Sequence, residues 1–115
     1  MTLLRGGRVV TPDNVLEGAS VRLTGETIAA VGLLEPEPGE DVLDCSGCVV
    51  LPGGVESHSH LDLEAGDLVT ADDFATGTRA ALAGGTTTVI DFATAFHGQS
   101  LATALDRWSA KATGR

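Results

Sequence analysis

The chain has 115 residues, of which 43% are hydrophobic and 20% charged, and its formal net charge is −9. This composition excludes wholesale disorder, and the length suffices for a domain with its own core. The negative charge argues against nucleic acids and anionic membrane surfaces as partners, since both select for clustered Lys and Arg, and it favours small neutral or polar ligands.

No apolar run in the chain approaches the roughly 18 residues of a membrane span, and no signal peptide is recognisable, so we expect a cytoplasmic location. In that reducing compartment Cys45 and Cys48 are not expected to form a structural disulfide. Their spacing matches half a zinc knuckle or a redox pair, but there is no second Cys pair. We therefore expect a structural role for both cysteines.

The first half of the chain predicts a β-meander, because short apolar runs alternate with turn residues. Gly6 and Gly7 are predicted to form a turn between the first two strands. The predicted strands cover residues 3–4, 8–11, 15–23 and 27–31 and, after a polar loop over 35–41, residues 42–43 and 48–51. In the third strand a buried face alternates with a solvent face. The buried face is expected to carry Ala19, Val21 and Leu23, and the solvent face Ser20, Arg22 and Thr24.

The pattern changes at Pro52, where strands begin to alternate with helices, and we place a domain boundary between residues 1–51 and 52–115. The predicted elements are a strand over 55–61, a helix over 71–83 capped by Thr70, a strand over 86–92, and a helix capped by Ser100. The run 86–92 is typical of a parallel strand covered on both faces. The buried stripe of the second helix is expected to contain Leu101, Leu105, Trp108 and Ala112. Two strand–helix units leave open sheet edges, so we expect that a continuation of the chain is missing.

His58 and His60 lie two residues apart at the end of a predicted strand, which points both side chains to the same side. Neutral imidazole binds zinc, iron, nickel or manganese, and a rigid strand end would pre-position the two rings. The same pair could also be a polar strand end that faces solvent. Catalytic metal sites need three or more protein ligands, and the pair supplies two. The pair is a candidate half-site for a metal ion.

The surroundings of this pair resemble the first barrel strand of the amidohydrolase superfamily, usually written P-G-x-I-D-x-H-x-H. Here the segment reads Pro52-Gly-Gly-Val-Glu-Ser-His-Ser-His60. The resemblance continues through 70–92 and 98–101, where the chain is similar to hydantoinases and dihydropyrimidinases in particular. It covers essentially the whole chain, and the N-terminal strands resemble the small β-sandwich domain of that family.

The resemblance implies the N-terminal part of a small β-sandwich domain over 1–51, followed by the first two βα units of a (β/α)8 TIM-type barrel over 52–115. It implies a binuclear metal centre, usually zinc, in which His58 and His60 hold one ion. The family's carbamylated lysine, two further histidines and catalytic aspartate come from later strands, which this sequence does not contain. The implied activity is hydrolysis of C–N bonds in cyclic amides or imides by a homo-oligomeric enzyme. As an N-terminal fragment, this chain alone is expected to be inactive.

Several positions depart from the family pattern or lie outside it. Glu56 stands where the family usually has Asp, and it would either orient a histidine or have a plain structural role. Residues 63–66 lack the bulkier apolar side chains that hydantoinases tend to present to substrate, so the resemblance leaves the substrate preference open. No substrate-binding residue is predicted. His97 is expected to be a solvated loop residue. For Asp91 we expect a local structural role.

Two classes of function compete at this point. Asp62 stands where dihydroorotases commonly have Arg, which favours a hydantoinase-type enzyme, although allantoinase-like and other cyclic-amidase activities stay open. The other class is a non-catalytic product of a truncated gene, or a structural homologue such as the collapsin response mediator proteins. Those proteins share the fold without the metal site, and the retention of both histidines argues against them.

Overall fold

The computed structural model describes all residues from 1 to 115, and the chain divides into two units, Met1–Pro52 and Gly53–Arg115. The first unit is a single sheet, and the second combines short strands with two helices. No helix is long and apolar enough to cross a membrane.

The sheet of the first unit is built around its first strand, β1. Its five strands are β1 (Thr2–Val10), β2 (Val15–Thr24), β3 (Thr27–Gly32), β4 (Asp41–Asp44) and β5 (Val49–Val50). The first three form the predicted meander, with antiparallel pairs β1–β2 and β2–β3. The meander is not the whole sheet, because β4 and β5 return to the free side of β1 and pair with it in parallel.

Gly6 and Gly7 do not form the predicted turn but lie within the nine-residue strand β1. The register with β2 shifts on both sides of Gly7, and Gly6 has φ = +75°. Glycine adopts that left-handed conformation without steric cost, so the strand accommodates an irregularity instead of ending. A Cβ on Gly7 would lie 2.8 Å from Val50 Cγ2, which shows how closely β5 approaches this point.

The core of the first unit lies between β1 and β2, and contains Val9, Ala19 and Val21. Ala19 and Val21 are buried and Leu23 is half-buried, as the alternation predicts. Ser20 was expected to face solvent but is only 2% exposed. Alternation describes a sheet with one covered face, whereas here Ser20 is covered as well.

The predicted solvated loop between β3 and β4 is anchored by Arg22. The guanidinium of Arg22 contacts the carboxylate of Glu40 at 2.8 Å and that of Glu37 at 2.7 Å, and the Glu40 side chain is shielded from solvent. The hydrogen bond from Arg22 holds the pKa of the Glu40 carboxyl below its ordinary range. One cation from β2 thus fixes a loop that the sequence pattern describes as free.

Cys45 and Cys48 are the corners of the turn between β4 and β5. The backbone N–H of Cys48 donates to the carbonyl of Cys45 at 2.9 Å, and Gly47 supplies φ = +78°. Both thiols are free, Cys45 buried and Cys48 exposed. The two cysteines thus form the turn between β4 and β5, the two strands that each pair in parallel with β1.

The second unit starts with the strand β6 (Gly54–Ser59), which pairs in parallel with a later strand, β9 (Thr86–Asp91). Between them lie a small hairpin, β7 (Glu64–Ala65) and β8 (Leu68–Val69), and the helix α1 (Phe74–Ala83). The helix α2 (Leu101–Ala112) follows β9 and has Ser100 as its N-cap, as predicted. The hairpin was not predicted, since two-residue strands carry no periodicity to detect.

Helix α1 begins three residues later than predicted, because Asp73 and not Thr70 caps it. Asp73 accepts a hydrogen bond from the backbone N–H of Thr76, and Thr76 Oγ1 accepts one from the N–H of Asp73. The bond from Thr76 holds the pKa of Asp73 below its ordinary value. Thr70 is engaged elsewhere, since its hydroxyl accepts from the N–H of Leu63 at 2.9 Å.

Two expectations about burial in the second unit are wrong for this chain. Strand β9 is not covered on both faces, as Ile90 is 53% exposed. Helix α2 buries Ala104 and Trp108, whereas Leu101 and Leu105 are exposed. Both elements therefore carry apolar side chains that no other part of this chain covers.

Candidate functional site

The two histidines of the motif lie where β6 ends. His58 is in the strand, and His60 follows directly after its last residue, Ser59. Both imidazoles are exposed. The strand pairs with β9 in parallel, so the residues that follow both strands meet at one edge of this sheet.

The Nε2 atoms of His58 and His60 lie 3.3 Å apart. The ring centroids are separated by 5.1 Å, and the ring planes are nearly perpendicular at 80°. Two nitrogens that each bind a tetrahedral zinc ion at about 2.0–2.1 Å lie roughly 3.3–3.4 Å apart. The separation of the two imidazole nitrogens therefore fits two ligands of one ion.

Phe92 packs against both imidazoles at the end of β9. Its ring centroid lies 4.6 Å from that of His58 and 5.3 Å from that of His60. The sequence pattern did not indicate Phe92 as part of the site. The parallel pairing of β6 and β9 is the feature that could have indicated it, because it brings the ends of the two strands together.

Glu56 lies on the same strand two residues before His58. Its Oε1 accepts a hydrogen bond from the backbone N–H of His58 at 2.9 Å. The carboxylate thus contacts the main chain of the histidine and not its ring. This contact is consistent with a supporting role, which stays a prediction.

Asp91, the last residue of β9, contacts the backbone next to His60. Its Oδ2 accepts from the N–H of Leu61 at 2.8 Å, and its Oδ1 accepts from the N–H of Phe92 at 2.6 Å. Asp91 thus makes its structural contacts next to the histidine pair. Its carboxylate joins the two strand ends that carry His60 and Phe92.

The structure contains no group of three or more His, Cys, Asp or Glu side chains placed to hold a metal ion. His97 is exposed in the loop between β9 and α2 and is not brought to the pair. His58 and His60 are thus two candidate ligands, and three protein ligands are usual in catalytic metal sites.

A cavity of about 320 Å³ in the second unit lies beside α1 and β9, and neither histidine lines it. Leu61 and Asp91 line part of its wall, together with apolar residues of α1 such as Phe74 and Leu82. The cavity wall is mostly apolar, and its charged lining residues are Asp91 and Arg115.

No protein-family model matches the chain. The chain is 43% identical to the D-hydantoinase of Geobacillus stearothermophilus over 113 residues, which are 98% of this chain and 24% of that protein. It is also 43% identical to the dihydropyrimidinase of Rattus norvegicus over 111 residues, which are 92% of this chain and 21% of that protein. The crystal structure of D-hydantoinase from Bacillus sp. AR9 matches with a TM-score of 0.90 and 44% identity, covering 96% of this chain and 24% of that chain.

The chain spans about a quarter of the length of the relatives that it matches. Within that quarter the similarity extends over nearly every residue of the chain, in sequence and in fold. The resemblance found in the histidine motif and its surroundings is thereby confirmed. The chain belongs to the hydantoinase/dihydropyrimidinase family.

Proposed function

We propose that this chain is the N-terminal part of a metal-dependent hydrolase of cyclic amide bonds and that His58 and His60 are two of its metal ligands. The observation that carries the proposal is the 3.3 Å separation of the two Nε2 atoms at the end of a strand. The family names support the reaction class, since the relatives are hydantoinases and dihydropyrimidinases.

The donor set fits a divalent ion of the zinc type. Two neutral imidazoles suit zinc better than magnesium or calcium, which prefer oxygen ligands. A bound ion would polarise a carbonyl oxygen and lower the pKa of bound water. The residues of this chain hold and orient that ion, with Phe92 packed against both rings and Glu56 bonded to the backbone of His58.

The remaining parts of the enzyme are assigned to the rest of the polypeptide. We assign residues 1–51 to part of a small β-sandwich domain and residues 52–115 to the first two βα units of a (β/α)8 barrel. Barrel enzymes keep their chemistry at the carboxyl ends of the strands, and His58 and His60 lie at that end of β6. Two ligands from one strand end do not complete a catalytic centre, so we expect no hydrolysis by the 115-residue chain alone.

The substrate class we propose is a small cyclic amide or imide, with a hydantoin or a dihydropyrimidine as the first candidates. The partner is thus a small molecule, and neither nucleic acid nor membrane is part of the proposal. A cytoplasmic location and a homo-oligomeric full-length enzyme complete it.

Hydrolysis of hydantoin and of dihydrouracil by the full-length polypeptide, loaded with zinc, tests this proposal. Ring opening of either compound, lost on chelation and restored by zinc, is the expected result. If zinc binds and neither ring opens, the substrate assignment is wrong and another cyclic amide must be sought. If no divalent metal binds, the enzyme assignment is wrong and a non-catalytic member of the family is the better description.

A further inference from the structure

The segment that follows His60 contains one residue in an unusual backbone conformation. Asp62 has φ = +50°, and it is the only residue other than glycine with a positive φ. A non-glycine residue in this left-handed region costs about 1 kcal/mol or more, so surrounding contacts must impose it. The strand ladder does not supply those contacts, because β6 ends at Ser59.

Hydrogen bonds from three directions fix this segment. Asp91 accepts from the N–H of Leu61, the carbonyl of Asp72 accepts from the N–H of Asp62, and Lys111 Nζ donates to the carbonyl of Asp62, at 2.8, 2.8 and 2.6 Å. Leu63 adds a reciprocal pair with Thr70, in which each backbone N–H finds an acceptor on the other residue, both at 2.9 Å. The backbone polar groups next to His60 are therefore bound to β9, to α2 and to the segment before α1.

Asp91 connects this segment to the ring that packs on the histidines. One carboxylate oxygen binds the N–H of Leu61, the neighbour of His60, and the other binds the N–H of Phe92. A single carboxylate thus sets the distance between the end of β6 and the start of the loop after β9. Since Phe92 contacts both imidazoles, the same carboxylate also sets the position of their shared neighbour.

Lys111 contacts the same segment from α2. It is the single lysine of the chain, it lies in the last turn of α2, and its side chain is only 16% exposed. Its Nζ also lies 3.2 Å from Glu64 Oε1, 3.5 Å from Asp62 Oδ2 and 4.7 Å from the centre of the Trp108 ring. These contacts hold the ammonium group in one place, so its bond to the carbonyl of Asp62 has a fixed direction.

We propose that Asp91 and Lys111 are positioning residues that fix the two ligand nitrogens of the histidine pair by bracing the segment after His60. This inference rests on the proposed function, since it assigns the bracing to a metal site. Neither side chain contacts an imidazole. Both act through the backbone of Leu61 and Asp62 and, in the case of Asp91, through Phe92.

Bracing of the metal ligands and a general contribution to stability have different measurable effects. Groups that orient metal ligands typically change metal affinity about 10–100-fold when they are removed. A residue that only stabilises the fold would lower the midpoint of unfolding and leave the affinity of the folded protein unchanged. Metal affinity and the ligand-field spectrum therefore report on bracing, while the thermal midpoint reports on stability.

The test uses the full-length polypeptide, with zinc affinity measured by competition with a chelator and the visible spectrum recorded after loading with cobalt(II). The variants are Asp91→Asn, which replaces one acceptor oxygen by a donor, and Lys111→Met, which keeps the stem and removes the ammonium. Lys111→Arg is the conservative variant that retains a charged donor. Asp106→Asn is the matched control for Asp91→Asn, because the side chain of Asp106 is exposed on α2.

We expect zinc affinity to fall about 10-fold or more in Asp91→Asn and in Lys111→Met, with a changed cobalt spectrum. Lys111→Arg should recover most of the affinity, and Asp106→Asn should match the wild type. If the wild type binds zinc and both variants bind it as tightly with an unchanged spectrum, the bracing is refuted and the proposed function stands. If the wild type binds neither ion, the proposed function fails and the inference fails with it. Circular dichroism and thermal midpoints confirm that each variant is folded before its affinity is counted.

Discussion

The ring of Phe92 packs against the imidazole of His58 with their centroids 4.6 Å apart, although 34 positions separate the two residues in sequence. The contact exists because β6 and β9 are parallel neighbours and the two residues lie near the same ends of those strands. It gives an exposed histidine pair an apolar support on one side.

We expect Phe92→Ala to weaken zinc binding by the full-length polypeptide up to about 10-fold, because both imidazoles lose the ring that limits their rotation. Phe92→Leu should have a smaller effect, since it keeps apolar bulk at the same place. Chelator competition measures both. Equal affinity for the alanine variant and the wild type would show that the ring contact has no role in orienting the ligands.

Trp108 is the main buried side chain of α2, being 4% exposed. We expect Trp108→Ala to lower the free energy of unfolding by about 3–5 kcal/mol, the range for a large aromatic removed from a packed site. Trp108→Phe should cost clearly less, because the buried indole Nε1 has no hydrogen-bond partner to lose. Urea denaturation of the three proteins checks the order, and similar midpoints for the two variants would contradict it.

Gly53 is required by the close approach of Thr87. A Cβ added at Gly53 would lie 2.7 Å from Thr87 Cβ, so Gly53→Ala must push the start of β6 away from β9. We expect a loss of about 1–3 kcal/mol in the free energy of unfolding, as for overpacked sites. Gly84→Ala is the control, because its φ is −88° and its Cβ would meet its nearest neighbour at 3.5 Å. A loss no larger at Gly53 than at Gly84 would contradict the account of this contact.

The ion pair between Arg22 and Glu40 makes the stability of the first unit sensitive to acid. The pKa of Glu40 in the folded protein lies below its ordinary value of 4.5, chiefly because Arg22 donates a hydrogen bond to it. Above pH 4.5 the carboxylate is ionised in both states and the stabilisation is complete. As the pH falls below 4.5 the unfolded state takes up the proton first, so the stabilisation is lost progressively toward the lowered pKa.

We therefore expect unfolding midpoints of the wild type to fall more steeply than those of Glu40→Gln as the pH is lowered below 4.5, because the glutamine has no carboxyl to titrate. Glu26→Gln, at an exposed position of the β2–β3 turn, is the matched control and should keep the steep slope. Parallel slopes for the wild type and Glu40→Gln would show that the pair does not contribute.

Local signals predicted much of this fold from the sequence. The neighbouring strands predicted over 15–23 and 27–31 and the N-cap at Ser100 depend on residues within a few positions, and the structure has both features. The histidine pair was likewise recognised from its own segment. The start of α1 was not, because Thr70 and Asp73 are both good caps, and the choice depends on the distant N–H of Leu63 that takes the Thr70 hydroxyl.

The parts of the site that the sequence did not predict depend on contacts between distant residues. The bond between Lys111 and the carbonyl of Asp62 spans 49 positions, and that between Leu61 and Asp91 spans 30. No periodicity encodes such pairs, since they follow only from how β6, β9 and α2 pack. Leu101 and Leu105 are exposed although they belong to an apolar stripe. Such a stripe predicts that a helix face will be covered but does not identify the surface that covers it.

The metal content of the full-length polypeptide tests the central claim most directly. Zinc bound per chain is measured in the wild type, in the double variant His58→Asn and His60→Asn, and in His97→Asn as the histidine control. We predict that the double variant binds less zinc per chain than the wild type and that His97→Asn retains the wild-type content. A double variant that is folded and binds as much zinc as the wild type would contradict the assignment of His58 and His60 as metal ligands.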